Sequence, residues 1–123
     1  MLQNESTLLV ADNSGAKKLL VIRCLGGSNR KFSRIGDLVI ATVKEADPHA
    51  NIKKGQIVTA IIVSSKKHFR RHNDTWIKFS KNYAVLVKKE SKEPVGTRIF
   101  VPILAEFDRW GYKKILSLAP EVL

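Results

Sequence analysis

The sequence predicts a mostly-β protein: a small β-barrel with a projecting basic hairpin, ending in one or two short helices. Three observations predict it. Over residues 8–87 the apolar residues fall in short runs divided by turn residues, which is the pattern of strands. Residues 64–80 interrupt those runs with a polar, basic stretch that carries a turn signal near its middle. Beyond Pro102 the apolar spacing lengthens to that of a helix.

Each element has a local reason. Thr7-Leu8-Leu9-Val10 is followed by Asp12-Asn13-Ser14-Gly15, a turn cluster in which Gly15 is free to take positive φ. The run over residues 19–25 is closed by Gly26-Gly27-Ser28-Asn29. Ile35-Gly36-Asp37 opens the run over residues 38–43, and Asp47-Pro48 ends that region. Lys54-Gly55 leads into residues 57–63, the most β-branched stretch of the chain. Runs apolar at successive positions belong to strands buried on both faces or wrapped in a tight barrel. Asn73-Asp74 is the expected tip of the basic hairpin; Trp76-Ile77-Lys78-Phe79 alternates after it, and residues 83–87 form the return strand. Residues 88–94 are a charged loop, and Gly96-Thr97-Arg98-Ile99-Phe100 is a short extended piece. Pro102 suits the first turn of a helix, with Ile103, Leu104, Phe107 and Trp110 on one stripe and Gly111 as its C′ residue. Residues 115–118 suit one further short turn of helix. The expected organisation is a single domain over residues 1–123: barrel 1–100, including a ribbon over 64–80, then a helical appendage over 101–123.

Composition narrows the function. A chain of 123 residues fits one domain of roughly 100–200 residues. Its 44% hydrophobic content supplies a core, which excludes disorder as the default state. One cysteine, Cys24, excludes an internal disulfide or a Cys-based zinc cluster and is expected to fill the core. The longest apolar runs are far short of the ~20 residues of a membrane-spanning helix. Met1-Leu2-Gln3-Asn4-Glu5 lacks the basic start and apolar stretch of a signal peptide. The formal charge is +11, and self-repulsion on that scale calls for an acidic partner.

The charge is uneven. Residues 50–89 hold ten basic groups (Lys53, Lys54, Lys66, Lys67, Arg70, Arg71, Lys78, Lys81, Lys88 and Lys89) against Asp74 alone. Residues 90–123 hold five cations and five acids. Solubility does not require one sign in one place, whereas binding a nucleic-acid backbone does. A second basic group is Ser28-Asn29-Arg30-Lys31-Phe32-Ser33-Arg34, whose arginines suit bidentate phosphate contacts. Lys17-Lys18, beside the Asn13-Ser14-Gly15 turn, is a third; Arg23 and Lys44 complete the set. Phe69, amid the ribbon cations, is suited either to stack on an exposed base or to pack at the foot of the hairpin, and Trp76 has the same two options.

Catalytic constellations are lacking. Ser14 has no Gly-x-Ser-x-Gly elbow around it, and Gly26-Gly27 has no Gly-Lys-Ser/Thr of a phosphate loop. His68 and His72 are spaced for a metal only on a helix, and they fall in a hairpin. The expectation is a non-enzymatic protein without metal or cofactor.

Five ordered motifs carry a family resemblance. They are Val10-Ala11-Asp12-Asn13-Ser14-Gly15-Ala16, Gly27-Ser28-Asn29-Arg30, Val43-Lys44-Glu45-Ala46, Gly96-Thr97-Arg98-Ile99-Phe100 and Ile115-Leu116-Ser117-Leu118-Ala119-Pro120-Glu121-Val122-Leu123. In these the chain resembles the L-fourteen family of large ribosomal subunit proteins, in its bacterial or organellar form. The resemblance implies a closed five-stranded barrel, a β-ribbon and two small C-terminal helices. It implies a structural role as a monomer in the ribosome, in bacterial cytoplasm, mitochondrial matrix or plastid stroma. The implied partners are large-subunit rRNA, small-subunit rRNA at an intersubunit bridge, and ribosomal proteins L-three and L-nineteen. The resemblance further implies that the face carrying Thr97, Arg98, Lys114 and Ser117 is the expected docking face for the family's ribosome-silencing factor. Three positions depart from the family pattern: Asn73-Asp74 replaces Asp-Gly at the ribbon tip, Val101 replaces Gly, and Ala105-Glu106-Phe107-Asp108 replaces Arg-Glu-Leu-Arg. The competing reading from the residues alone is a free single-strand-binding barrel of the oligonucleotide-binding type, which needs exposed aromatics on its sheet face.

Overall fold

The computed structural model describes residues 2–3, 6–25, 32–71 and 74–123. In chain order its strands begin with β1 (Leu2–Gln3), β2 (Thr7–Val10), β3 (Ala16–Cys24), β4 (Phe32–Ser33) and β5 (Leu38–Ala46). They continue with β6 (Ile57–Ser64), β7 (Phe69–Arg70), β8 (Trp76–Ile77) and β9 (Tyr83–Val87), followed by helices α1 (Glu106–Arg109) and α2 (Lys113–Leu118). Five of the strands close a barrel in the order β2-β3-β5-β6-β9. Every pairing in it is antiparallel except β2 with β9, where Leu9 faces Tyr83 and Val10 faces Ala84 in parallel register. Closure removes the free strand edges that a five-stranded sheet would otherwise expose.

Strand phase decides which residues fill the barrel. On β5, Val39, Ala41 and Val43 are buried at strict two-residue spacing. On β3 the buried residues are Ala16, Leu19, Val21 and Cys24, a spacing that two-residue alternation alone cannot give. Register shifts between Lys18 and Leu19 and between Val21 and Arg23 reset the phase, bending the strand around the barrel. β3 therefore starts at Ala16, and β5 continues to Ala46, beyond the apolar runs 19–25 and 38–43. The polar ends are held because Ala16 pairs with Ala46 and Lys18 with Glu45.

β6 and β9 are buried without alternation over Ala60–Ser64 and Ala84–Val87, so they are covered on both faces. Ile103, Leu104, Phe107 and Ile115 from the C-terminal segment join the same apolar cluster. At about 1.5–3 kcal/mol for each large side chain buried, this outer layer is a major part of the core. Cys24 is buried in the apolar cluster, as expected of a core-filling thiol.

The helix expected to start at Pro102 starts at Glu106 instead. Ile103 bridges Val122 in the last residues, with Ile103 N–H donating to the Glu121 carbonyl, Leu123 N–H to Ile103, and Ala105 N–H to Leu123, before Ala105 turns into the helix. The spacing of Ile103, Leu104 and Phe107 thus comes from an extended segment running into one turn of helix, which mimics a longer helical stripe. Gly111 is the C′ residue the sequence predicts, at φ 92°. Its N–H donates to Asp108 and that of Tyr112 to Phe107, the paired bonds of a Schellman motif, with the Phe107 and Tyr112 rings 6.0 Å apart.

Among the described residues the ribbon strands pair Phe69 with Ile77 and Arg70 with Trp76; Phe79 N–H donates to the Ser65 carbonyl and Arg71 N–H to the Thr75 carbonyl on either side of these pairs, and Asp74 takes φ 64° in the turn. A second two-stranded pair, β1 with β4, was not expected from the apolar pattern.

Candidate nucleic-acid interface

The Asp12-Asn13-Ser14-Gly15 turn works inward. Asp12 is 5% exposed; one carboxylate oxygen accepts from the Ser14 N–H and hydroxyl, and the other accepts from the Leu86 N–H across the barrel. Burial pushes the Asp12 pKa above its ordinary value, opposed by those hydrogen bonds. The Asn13 carbonyl oxygen accepts from the N–H groups of Thr97 and Arg98, and its amide donates to the Thr97 hydroxyl. Gly15, at φ 105°, admits no side chain, because a Cβ there would lie 2.2 Å from that of Ala50. The Asn13 side chain, expected to hydrogen-bond RNA, thus clips Thr97 and Arg98 to the first turn while staying exposed, and the Ser14 hydroxyl, expected to do the same, donates to Asp12, which holds β9.

Eleven of the expected RNA-binding cations fall into two groups. One lies where β3 begins, β5 ends and the β5–β6 turn folds back: Lys17, Lys18, Lys44, Lys53 and Lys54. Lys18 is paired in register with Glu45, and the Gly55 N–H donates to the carbonyl of Val43, next to Lys44. The turn is fixed by Lys53 N–H to the Gln56 side chain and Gln56 N–H to the Lys53 carbonyl, leaving Lys53 and Lys54 exposed. The other group lies at the opposite end of β5 and β6: Arg23, Arg34, Lys66, Lys67, Arg70 and Lys78. Lys66 N–H donates to the Asn82 side chain, Lys67 N–H to the Ser65 hydroxyl, and Arg34 N–H to an Asp37 carboxylate oxygen. In each case the backbone is fixed and the residue exposed. Along nine residues of β5 the two groups stand about 25 Å apart at 3.3 Å per residue. Ser28, Asn29, Arg30 and Lys31 lie outside the described residues.

Among the ribbon residues Arg71 is placed differently from expectation, and Phe69 takes the second of its two expected positions. Arg71 turns inward: Nε and Nη2 donate to the two carboxylate oxygens of Glu106 at 3.1 and 2.7 Å, and Nη2 donates to the Leu123 carbonyl at 2.8 Å. The Glu106 hydrogen bond raises the Arg71 pKa further above its ordinary value. Its charge is neutralised within the fold by Glu106. Phe69 is half-buried, edge-on to Trp110 at 6.1 Å, at the foot of the ribbon. Trp110 in turn covers Gly36, where a Cβ would meet its ring at 2.7 Å. Trp76, by contrast, is 62% exposed.

On the C-terminal face, Thr97, Arg98, Lys114 and Ser117 are all exposed. Lys114 hydrogen-bonds Glu93 in the loop leading to Thr97, which pulls the Glu93 pKa below its ordinary value, and the Ser117 hydroxyl donates to the Lys114 carbonyl. The importance of Glu106 and Trp110 is not evident from spacing. An acid set between Leu104 and Phe107 was the one available signal for Glu106. Among the described residues, no three His, Cys, Asp or Glu side chains are grouped to hold a metal ion.

These features define a class: a basic β-barrel that presents cations on turns stiffened by backbone hydrogen bonds. The chain matches the family described as ribosomal protein L14p/L23e over residues 1–123, its whole length, and belongs to that family. It is a structural, non-enzymatic constituent of the ribosome that binds rRNA.

Proposed function

We propose that the barrel is a rigid spacer that clamps two segments of large-subunit rRNA, one at each end of β5 and β6, in a bacterial or organellar ribosome. The observation that carries this reading is the division of the cations into two groups at opposite ends of the same strands. Lys17, Lys18, Lys44, Lys53 and Lys54 neutralise phosphates of one segment. Arg23, Arg34, Lys66, Lys67, Arg70 and Lys78 neutralise those of the other, which adjoins the bridge to small-subunit rRNA. The charge-balanced C-terminal third, with Thr97, Arg98, Lys114 and Ser117 exposed, receives proteins: L-three, L-nineteen and the ribosome-silencing factor. The exposed aromatics Phe32, Trp76 and Phe100 lie off the five barrel strands, which disfavours a single-strand-binding sheet face.

Filter binding to large-subunit rRNA across a salt series tests the clamp. K44A/K53A/K54A and K66A/K67A/R70A should each flatten the log–log salt slope by about 2 to 3, at roughly 0.7–0.9 per lost phosphate contact. An unchanged slope in either triple variant removes that end of the barrel from the interface.

A further inference from the structure

The recess between the ribbon and the loop before β5 has a composition that phosphate binding alone does not explain. It measures 260 Å³ and is lined by Arg34, Ile35, Lys67, Phe69, Arg70 and Trp76, with Ser65 and His68. That is slightly below the roughly 300–1,000 Å³ of clefts that enclose drug-sized ligands, so it suits one small planar group. We propose that it binds a single unstacked nucleotide of the RNA, with the base against the Trp76 indole and the flanking phosphates on Arg34, Lys67 and Arg70. The proposal rests on the rRNA-binding reading above and adds a base-stacking subsite to it.

The recess combines a fixed apolar floor with an uncovered ring. Ile35 is 4% exposed and Phe69 is pinned by Trp110. The Trp76 ring meets His68 edge-on, at 6.4 Å and 81°, so His68 fixes one side of the pair without stacking over it. A large apolar ring held open to solvent among three cations fits an anionic ligand that itself has an aromatic face. Arg70 is paired with Asp74 at 2.7 Å, but the two side chains are 64% and 81% exposed. Such a pair is easily exchanged for a phosphate. An A-form duplex keeps its bases stacked and out of reach, whereas a loop or bulge can splay one out onto an aromatic side chain.

The test uses the full chain and three probes: a ten-nucleotide single-stranded RNA carrying one 2-aminopurine, an RNA duplex of the same length, and inorganic polyphosphate. The single strand should quench tryptophan emission and have its own 2-aminopurine emission quenched. The duplex and polyphosphate should bind with little quenching. Trp76→Leu should weaken single-strand binding about tenfold, within the range of base–aromatic stacking, and leave the salt slope unchanged because no charge is removed. Trp76→Phe should retain most of the affinity. Circular dichroism of both variants checks that this exposed position does not affect folding. Equal quenching by polyphosphate, or wild-type affinity in Trp76→Leu, overturns the nucleotide pocket. If Trp76→Leu instead binds RNA normally but is lost from purified ribosomes at high salt, the indole contacts a protein and the proposal fails. The two readings separate cleanly. A flattened slope in K66A/K67A/R70A beside an inert Trp76→Leu rejects the pocket alone, while no effect in either rejects the pocket together with that end of the clamp.

Discussion

Replacing Arg71 by Ala should lower the unfolding temperature by about 10 °C or more, although Arg70 beside it is exposed. The Glu106 side chain is 2% exposed and that of Arg71 17%, so this is a nearly buried ion pair with two charge-assisted hydrogen bonds. Removing one partner from a buried pair costs about 3–5 kcal/mol, because the remaining charge stays desolvated. Arg71 is partly exposed, which favours the lower end. For a chain of this length each kcal/mol moves the midpoint by roughly 3–5 °C, giving the value above. The variant also loses the bond to the Leu123 carbonyl, so the ribbon and the C-terminal strand-like segment loosen together. Arg71→Lys should recover only part of the loss, since an ammonium cannot span both carboxylate oxygens. The double variant Arg71→Met, Glu106→Leu should return close to wild type, because an apolar pair of similar volume avoids the desolvation cost altogether. Calorimetry of the set decides the matter. A midpoint drop under about 2 °C in Arg71→Ala, or a double variant as unstable as that single one, would falsify the inward assignment of Arg71.

Asp12→Asn should cost about 1–3 kcal/mol in denaturant unfolding, because an amide cannot accept from both the Ser14 groups and the Leu86 N–H. The Asp12 pKa is raised in the fold, so the native state binds that proton more tightly; wild type should gain stability relative to Asp12→Asn as pH falls from neutral towards 4. A flat difference between the two pH profiles would contradict this. Gly36→Ala should destabilise by more than about 1 kcal/mol, since φ is 92° and the new Cβ meets the Trp110 ring; a shift in tryptophan emission should accompany the loss. Lys114→Ala should bring the Glu93 pKa back up towards its ordinary value in an NMR titration, because Lys114 is the main cause of its depression.

The barrel strands were legible because they are short apolar runs divided by turn residues, but only the structure separates β5, where burial alternates, from the doubly covered β6 and β9. The true ends of β3 and β5 were hidden, because they are polar and held by register rather than by apolar burial. The start of α1 was misplaced for the opposite reason: an extended segment and a single helical turn in tandem bury the same positions as a longer helix. Charge concentration was read directly from sequence, but its division between two ends is a property of strand pairing. Arg71 illustrates the limit. Nothing in Arg70-Arg71 distinguishes an outward cation from an inward one until Glu106, thirty-five positions on, is placed beside it.

The same distinction applies to Asn13, an exposed residue whose side chain holds the backbone of Thr97 and Arg98. Ordering a long cationic side chain on a phosphate costs about 0.5–1.5 kcal/mol, and ordering a loose loop adds to that cost. The turns under Lys53, Lys66, Lys67 and Arg34 are already fixed, each by a backbone N–H donating to a nearby side-chain oxygen. The polar side chains therefore divide the work: Asp12, Asn13, Ser14, Gln56, Ser65 and Asn82 hold backbone in place, and lysines and arginines carry the charge. A clamp across two RNA segments depends on the distance between its ends, and strands locked at Asp12 and Asn13 resist changes in that distance. Loosening the clip should consequently weaken binding to folded rRNA more than binding to a short single strand, which contacts one end alone.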